Sequence, residues 1–246
     1  TPEFWDARWQ AEGRAGRSRQ DEAFARITAR HLPPGSRVLE GGCGRANKVK
    51  ALADAGFAAV GVDYAAESVE FARQIYPGLD IRVGDVRSLP FPDGCFDGYW
   101  SIGVIEHFWT GYDDILGEAR RVLKPDGRLF LTAPWLSPYR RLRVRRGGYP
   151  AADFQSEPAD FYQFALSRDE VCTALARNGF EVTNWKGLAP EVCIQEDMQS
   201  LRRAARWLFG SRGALPKRLL RGLVTTVSGA WCGHAFLAVA RRLPGG

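Results

Sequence analysis

Two carboxylates and a glycine-rich turn stand at a spacing that suits a nucleoside ligand. An apolar run ends on Glu40, and a second apolar run ends on Asp63, nineteen residues after the turn. The turn consists of Gly41, Gly42, Cys43 and Gly44. Glycines let the backbone approach a ligand closely, and a carboxylate at the tip of the next strand can accept hydrogen bonds from two ribose hydroxyls. We therefore expect a strand, a turn, a helix and a second strand that together hold a nucleoside.

The composition of this turn argues against a dinucleotide ligand. A dinucleotide site needs a third glycine three residues after Gly44, but that position is Asn47. Glu40 would also repel a pyrophosphate, whereas a carboxylate suits a ligand that carries ammonium and sulfonium cations. The turn thus favours a cationic nucleoside.

Further motifs follow in the order expected of alternating strands and helices. A third apolar run ends on Asp85, and a fourth carries Asp97 near its start and Glu106-His107 after its end. Next come a predicted helix at 113–123, a turn at 124–127, a fifth strand at 128–133, a helix that opens with a capping box at 167–170, a sixth strand from 180 and a closing strand at 234–240. Such alternation predicts a parallel sheet that helices cover on both faces.

Together these motifs resemble those of the class I S-adenosylmethionine-dependent methyltransferases. The turn matches the first motif of that family as Glu40-x-Gly42-x-Gly44-x-Ala46, with alanine in place of the usual last glycine. The resemblance covers about residues 37–186 and the final strand. It implies a Rossmann-like α/β fold, in which a seven-stranded, mostly parallel sheet has helices on both faces and an antiparallel last strand. It also implies S-adenosyl-L-methionine as the cofactor.

The resemblance implies roles for residues at the carboxyl ends of the strands. Asp85 would face the adenine amino group, and Val86 would pack near the ring. His107, beside the expected methyl position, is the candidate general base for a hydroxyl acceptor; the alternative is that it only lines the pocket. The implied cofactor-binding residues are Glu40, Gly41, Gly42, Cys43, Gly44, Asp63, Tyr64, Asp85, Val86, Ser101 and Glu106.

Length and composition fit one domain. A chain of 246 residues with 45% apolar content can bury a sizeable core. We divide the single domain 1–246 into an N-terminal helical cap at 1–36, a cofactor-binding core at 37–133, an insertion at 134–166 and a basic helical insertion at 190–230 before the last strand. Phe4, Trp5 and Trp9 on the first helix could close over the cofactor.

Positive charge is concentrated in the second half of the chain. From residue 134 onward, 17 lysines and arginines stand against 9 acidic residues, whereas the earlier counts are 17 against 19. An arginine cluster at 139–146 lies where insertions of open sheets meet ligands, which predicts an anionic acceptor. The alternative is that these arginines are only a solvated surface. The predicted acceptor-binding residues are Trp109, Trp135, Tyr139, Arg143, Arg145, Arg146 and Tyr162.

A second basic stretch, at 201–224, alternates with apolar residues. This pattern predicts two amphipathic helices that are broken at 210–213. They could form a cap, an interface or a peripheral contact with an anionic membrane, or present nothing more than solvated charge.

Several acceptor classes are disfavoured by the residues around the fourth strand. Amino methylation of bases in nucleic acid uses Asp/Asn-Pro-Pro-Tyr/Phe after that strand, where this chain has Ser101-Ile-Gly-Val. Carbon methylation of cytosine needs a Pro-Cys pair, which the sequence lacks. We expect transfer to an oxygen of a small-molecule, sugar or lipid-linked acceptor, and no DNA partner. RNA methylation, cofactor binding without turnover and aminopropyl transfer stay open as alternatives, and so does the oligomeric state.

The cysteines and the longest uncharged stretch bear on the compartment. Five scattered cysteines contain no Cys-x-x-Cys pair, so we expect a reducing compartment and no metal site. No secretory leader is visible, which favours the cytoplasm. The basic helices suggest a peripheral position at the inner membrane surface as an alternative. The uncharged stretch 222–240 contains several glycines and hydroxyl residues. We expect it to form a helix end, a turn at 228–233 and the closing strand, not a membrane-spanning helix.

Overall fold

The computed structural model describes residues 1–11, 19–148, 161–210 and 215–244, and seven strands in these ranges form one sheet. The strands are β1 (Arg37–Gly41), β2 (Ala58–Asp63), β3 (Asp80–Val83), β4 (Phe96–Ile102), β5 (Leu123–Pro134), β6 (Phe180–Leu188) and β7 (Ala235–Arg242). Their order is β3-β2-β1-β4-β5-β7-β6. The first five pair in parallel, and β7 runs antiparallel between β5 and β6. The predicted sheet, with its antiparallel last strand, is confirmed.

Helices cover both faces of this sheet. They are α1 (Pro2–Ala11), α2 (Arg19–Thr28), α3 (Asn47–Asp54), α4 (Ala66–Ile75), α5 (Asp113–Val122), α6 (Pro138–Arg145), α7 (Arg168–Arg177), α8 (Pro190–Asp197), α9 (Arg202–Phe209) and α10 (Leu215–Cys232), with short 3-10 turns at Ile105–His107 and Gln199–Leu201. Leu39 of β1 faces the core that α5 and α7 cover, whereas its neighbour Val38 faces the core beneath α2 and α3. Because both faces are buried, successive residues of the central strands are apolar.

Local sequence signals locate several element ends. Ser167 caps α7, and Glu170 completes the predicted capping box. β6 begins at Phe180, as predicted. The fifth strand is longer than the predicted 128–133, because it begins at Leu123 and contains the predicted turn as a bulge in which Asp126 has φ 62°.

The predicted turn at 228–233 is wrong, because α10 continues to Cys232 and β7 begins only at Ala235. The glycines of this stretch serve a close approach between a helix and a strand. A Cβ atom on Gly187 of β6 would lie 1.9 Å from the carbonyl oxygen of Gly229, and one on Gly233 would lie 2.9 Å from Cα of Gly187. Glycine therefore allows α10 to pack directly on the β6 backbone.

The last three helices share a small apolar core. Cys193 and Ile194 of α8 pack with Ala205 of α9 and Cys232 of α10. None of the described helices combines the length and the hydropathy that crossing a bilayer requires. Residues 149–160 of the predicted insertion and 211–214 of the predicted basic helices lie outside the described residues.

Candidate functional site

The glycine turn after β1 leaves open space at the carboxyl edge of the sheet. Gly42 has φ 75°, and a Cβ atom on it would lie 2.5 Å from Cγ2 of Val104. The amides of Gly42 and Cys43 donate to the carbonyl of Val62 at 2.8 and 3.0 Å, which ties the turn to the end of β2. A side chain at position 42 would fill the space between the turn and Val104, so this position requires glycine.

Gly41 is crowded in the same way as Gly42, whereas Ala46 departs from the glycine of the related motif. A Cβ atom on Gly41 would lie 2.1 Å from the hydroxyl of Tyr99, which is buried beneath the turn. Ala46, where the related motif has glycine, adopts φ 58°. The left-handed conformation costs a residue with a Cβ atom roughly 1–2 kcal/mol. The turn therefore keeps its shape with alanine at this position, at some cost in backbone strain.

Asp63 is held at the tip of β2 by amides from two loops. Its Oδ2 accepts from the amide of Gly44 at 2.7 Å, and its Oδ1 accepts from the amide of Ala65 at 2.9 Å. Burial raises the pKa of this carboxyl group, whereas the two amides lower it. Because a carboxylate offers about four lone-pair sites, each oxygen can still accept a hydroxyl hydrogen bond.

Glu40 lies behind the turn as a buried acid. It is 1% exposed, and within the described part of the chain its Oε2 atom has no hydrogen-bond partner. Burial raises the pKa of Glu40 to about 7, although the ammonium group of Lys48 opposes the shift. A buried acceptor of this kind is completed by a cationic or hydrogen-bond-donating ligand.

A cavity of about 810 Å³ opens above these strand ends. Its walls come from the glycine turn, the ends of β2, β3 and β4, the first helix and the chain after residue 160. The predicted site residues that line it are Gly42, Asp63, Tyr64, Asp85, Val86, His107 and Tyr162. Phe4 and Trp5 of α1 also line it, and Asp6 fixes that helix by accepting hydrogen bonds from the amide and the hydroxyl of Ser68 in α4 at 2.9 and 2.8 Å.

Asp85 of the cavity wall is ion-paired, whereas other predicted cofactor residues lie behind the wall. Asp85 pairs with Arg87 at 2.6 Å, and the hydrogen bonds from that guanidinium hold the pKa of Asp85 below its usual value. Ser101 is buried next to Gly41 across the β1–β4 pairing. Cys43 packs into a core cluster with α3 and α4. These last two side chains support the turn from below and do not line the cavity.

His107 reaches the cavity from the 3-10 turn after β4. Its Nδ1 lies 2.6 Å from the carbonyl oxygen of Tyr162, and its ring meets that of Trp5 edge-on at 4.8 Å. Because a carbonyl oxygen only accepts, Nδ1 carries the proton, and in the neutral ring Nε2 then holds the lone pair. Burial lowers the pKa of His107, and the positive charge of Arg8 lowers it further, against the hydrogen bond to Tyr162. The ring is therefore neutral at pH 7 and can accept a proton at Nε2.

Glu106 anchors the acceptor side of the cavity from behind. Its carbonyl oxygen accepts from the amide of Phe164 at 2.9 Å, so two consecutive residues, Glu106 and His107, tie down the segment at 162–164. The side chain is 2% exposed, and burial raises its pKa to about 7. Among the described residues its Oε2 finds no partner. It lies next to the cavity without lining it.

Aromatic side chains form much of the cavity wall near His107. Phe108, Phe161 and Tyr162 line the cavity. Trp109 lies one layer out, where it stacks on Phe164 with ring centroids 5.2 Å apart and meets Phe161 edge-on at 5.0 Å. The cavity is also lined by Val104, Phe108 and Arg87, which the sequence motifs did not indicate. Their closeness in the chain to Glu106-His107 and to Asp85 was the available signal.

The structure does not bring the other predicted acceptor residues into this cavity. Trp135 is 5% exposed and meets Trp185 edge-on at 6.1 Å, and the hydroxyl of Tyr139 donates to the carbonyl of Asp197 at 2.9 Å. Arg143 donates to the same carbonyl at 3.1 Å. Arg145 and Arg146 are exposed at the end of α6, and their part in acceptor recognition stays a prediction.

Comparison with known proteins agrees with this geometry. A family model described as a methyltransferase domain matches residues 39–131. A probable S-adenosylmethionine-dependent methyltransferase of Mycolicibacterium smegmatis is 31% identical over 170 residues, which are 69% of this chain and 61% of the relative. The 24-methylenesterol C-methyltransferase 2 of Oryza sativa subsp. japonica is 31% identical over 212 residues, which are 83% of this chain and 56% of the relative. Among solved structures, the geranyl diphosphate C-methyltransferase from Streptomyces coelicolor A3(2) matches with a TM-score of 0.59 and 21% identity, over 90% of this chain and 77% of that chain.

Fold and site together define a Rossmann-like domain with a nucleoside site at the carboxyl ends of its strands. The chain belongs to the class I S-adenosylmethionine-dependent methyltransferases. It spans 61% and 56% of the lengths of the two relatives named above. The likeness to the solved structure, at 21% identity, shows the fold alone.

Proposed function

We propose that this chain transfers the methyl group of S-adenosyl-L-methionine to an oxygen atom of a small-molecule or lipid-linked acceptor. The observation that carries the proposal is the convergence of Asp63, Asp85 and His107 on one cavity, with Glu40 buried behind its glycine turn. Carboxylates on the nucleoside side and a neutral imidazole on the acceptor side are the groups that this reaction needs.

The residues around the turn fit the proposed cofactor. Asp63 offers both oxygens to the ribose hydroxyls, and Gly42 leaves the room that a side chain would fill. The buried Oε2 of Glu40, which has no partner among the described residues, suits a ligand that carries positive charge near the turn. When bound, the cofactor supplies an activated methyl group on a sulfonium leaving group, so the protein has only to position the acceptor and remove its proton.

On the acceptor side, His107 is the proposed base. Its Nδ1–H is held by the carbonyl of Tyr162, which leaves Nε2 to take the hydroxyl proton. Phe108, Phe161 and Tyr162 favour an acceptor with a substantial apolar part, because their faces and edges offer contact area with few hydrogen-bonding groups. An apolar molecule with one reactive hydroxyl fits this wall.

A labelling experiment tests the proposal. The protein and trideuteromethyl-labelled S-adenosylmethionine are incubated together with one fraction of a cell extract at a time: the polar small molecules, the lipids or the RNA. Each fraction is then searched for the label by mass spectrometry. We expect label in the lipid or small-molecule fraction, and loss of the label with Asp63→Ala and with His107→Ala. Label only in RNA would identify RNA as the acceptor and contradict the proposal. If the cofactor binds but no fraction carries the label, the chain is a binding protein without turnover.

A further inference from the structure

Helices α9 and α10 carry large apolar side chains on the side that faces solvent. The exposed fraction is 63% for Trp207, 66% for Leu219, 63% for Leu223 and 66% for Val227. We call this surface the outer face; it consists of Trp207, Leu219, Leu220, Leu223, Val227 and Trp231. Large apolar side chains exposed as one group usually mark a surface that meets a partner.

The outer face is continuous along α10. Leu219, Leu223, Val227 and Trp231 follow one another at intervals of four residues, so they lie on one side of the helix over about 18 Å. The side of α10 that packs against the protein is formed by other residues, among them Gly229, which contacts Gly187 of β6. A helix at the surface of a soluble protein normally turns charged or polar residues outward, but α10 has no charged residue from 222 to 232. Packing within the domain therefore does not explain why the residues of the outer face are apolar.

The charges carried by α9 and α10 themselves all have one sign. Arg202, Arg203 and Arg206 are exposed on α9, and the ammonium of Lys217 lies 4.8 Å from the centre of the Trp207 ring. The sequence contains no aspartate or glutamate from residue 198 to residue 246. An apolar stripe bordered by cations, with tryptophan at the boundary, is complementary to anionic headgroups above an apolar interior.

We propose that α9 and α10 bind the surface of an anionic membrane, with the outer face in the headgroup region and the arginines among the phosphates. A symmetric contact with a second copy would set these arginines against one another. Aliphatic residues such as Leu223 and Val227 offer little to RNA, which is bound through stacking and charge. The helices would lie on the bilayer, in keeping with the finding that no described helix can cross it.

The topology brings this surface to the edge of the sheet that holds the cavity. β7 begins at Ala235, directly after α10, and Ala235 pairs with Pro134 at the carboxyl end of β5. The carboxyl ends of β1 and β2, which carry the glycine turn and Asp63, lie at that same edge. A chain bound through α10 therefore keeps the cavity edge close to the lipid. That the acceptor itself comes from the membrane is a consequence that rests on the proposed function; membrane binding does not.

Vesicle flotation tests the proposal. The full chain is mixed with vesicles of phosphatidylcholine alone or of phosphatidylcholine and phosphatidylglycerol in equal parts. We expect binding to the anionic vesicles, weakened by added salt. Arg202→Gln with Arg203→Gln should weaken it roughly twenty-five-fold, because each cation near such a surface contributes about fivefold. Leu223→Ser should weaken it about tenfold through lost apolar burial.

Matched variants separate this surface from general charge and hydrophobicity. Arg145→Gln with Arg146→Gln removes two exposed arginines at the end of α6, and Ile75→Ser removes a 40% exposed apolar side chain from α4. Both variants should bind the vesicles as the unmodified chain does. The proposal is overturned if anionic vesicles do not float the protein, if the α6 variant releases it and the α9 variant does not, or if RNA competes for the same arginines while vesicles do not bind. A dimer in solution that Leu223→Ser dissociates would also overturn it. Titration with S-adenosylmethionine, which these variants should not affect, shows that they are folded and tests the proposed function separately.

Discussion

Two buried carboxyl groups have their pKa values raised to about 7, and the arrangement around each gives that shift a different consequence. Glu40 lies behind the glycine turn, where its Oε2 has no partner among the described residues. Glu106 lies next to His107 and holds Phe164 through its backbone. Because Glu40 lies directly behind the turn, we expect its titration to be visible in cofactor binding.

Cofactor affinity should therefore depend on pH through Glu40. Below pH 7 this carboxyl group is mostly protonated in the free protein, and a cationic ligand must displace the proton. We expect the affinity for S-adenosylmethionine to fall about tenfold for each pH unit below 7 and to level off above it, with proton release on binding. Calorimetry in buffers of different ionisation enthalpy measures both. Glu40→Gln should bind more weakly and without this dependence, and a flat profile for the unmodified chain would remove Glu40 from the cation site.

His107 should determine the acid limb of the pH profile of turnover, that is, the fall in turnover at low pH. Its pKa is lowered, chiefly by burial, so the neutral form persists to a pH below its ordinary value of 6.5, and the base is lost only as the pH falls through that lowered pKa. With an acceptor in hand, His107→Ala should reduce turnover by about 10²–10⁴-fold and abolish the acid limb, while cofactor affinity barely moves.

The matched control for this test is His31→Gln, which alters a histidine that is not part of the cavity wall and should leave the profile unchanged. Unchanged turnover in His107→Ala would make His107 a lining residue, which was the alternative left open by the sequence.

At the scale of elements, the arginine-rich helix α6 has a structural role. Arg140 is buried, pairs with Asp197 of α8 at 3.0 Å and donates to the carbonyl of His234 at 3.1 Å, and Arg143 reaches Asp197 as well. These contacts join α6 to α8 and to the start of β7. For three arginines of the cluster, Arg140, Arg141 and Arg143, the anion is a carboxylate of the same chain, and recognition of an anionic acceptor by the cluster stays a prediction.

The glycine contact between β6 and α10 leads to a stability prediction. Gly187→Ala places a Cβ atom 1.9 Å from the Gly229 carbonyl, so α10 must move away from the sheet. We expect a loss of about 1–3 kcal/mol in the free energy of unfolding, measured by urea denaturation, with little change in cofactor affinity. Gly117→Ala on α5, where a Cβ atom meets nothing within 4 Å, is the control and should be neutral or slightly stabilising. Equal stability of the two variants would contradict the close packing.

For the whole molecule, the features predicted correctly are those that neighbouring residues determine. The turn at 41–44, Asp63 and the capping box at 167–170 are encoded within a few residues each, and they appear where expected. Trp135 was assigned to the acceptor pocket because it follows β5, yet it packs beside Trp185 of β6. The sequence did not predict that α10 continues through 228–232, because this part of the helix packs on Gly187, which lies about forty residues away in the chain. Such pairings depend on which strands become neighbours, and a local pattern contains no information about that.

We propose that the carboxyl edge of this sheet binds S-adenosylmethionine through Asp63, and calorimetric titration with S-adenosylmethionine and with NADH tests this proposal. We expect S-adenosylmethionine to bind and NADH to bind more weakly or not at all. Asp63→Ala should lose roughly 1.5–3 kcal/mol of binding free energy, about 10- to 150-fold in affinity, because charged hydrogen bonds to the ribose are removed. Asp63→Asn should lose less, and Asp169→Ala, a change at an exposed carboxylate of α7, should lose nothing. No binding of S-adenosylmethionine by the unmodified chain, or tighter binding of NADH, would contradict the account.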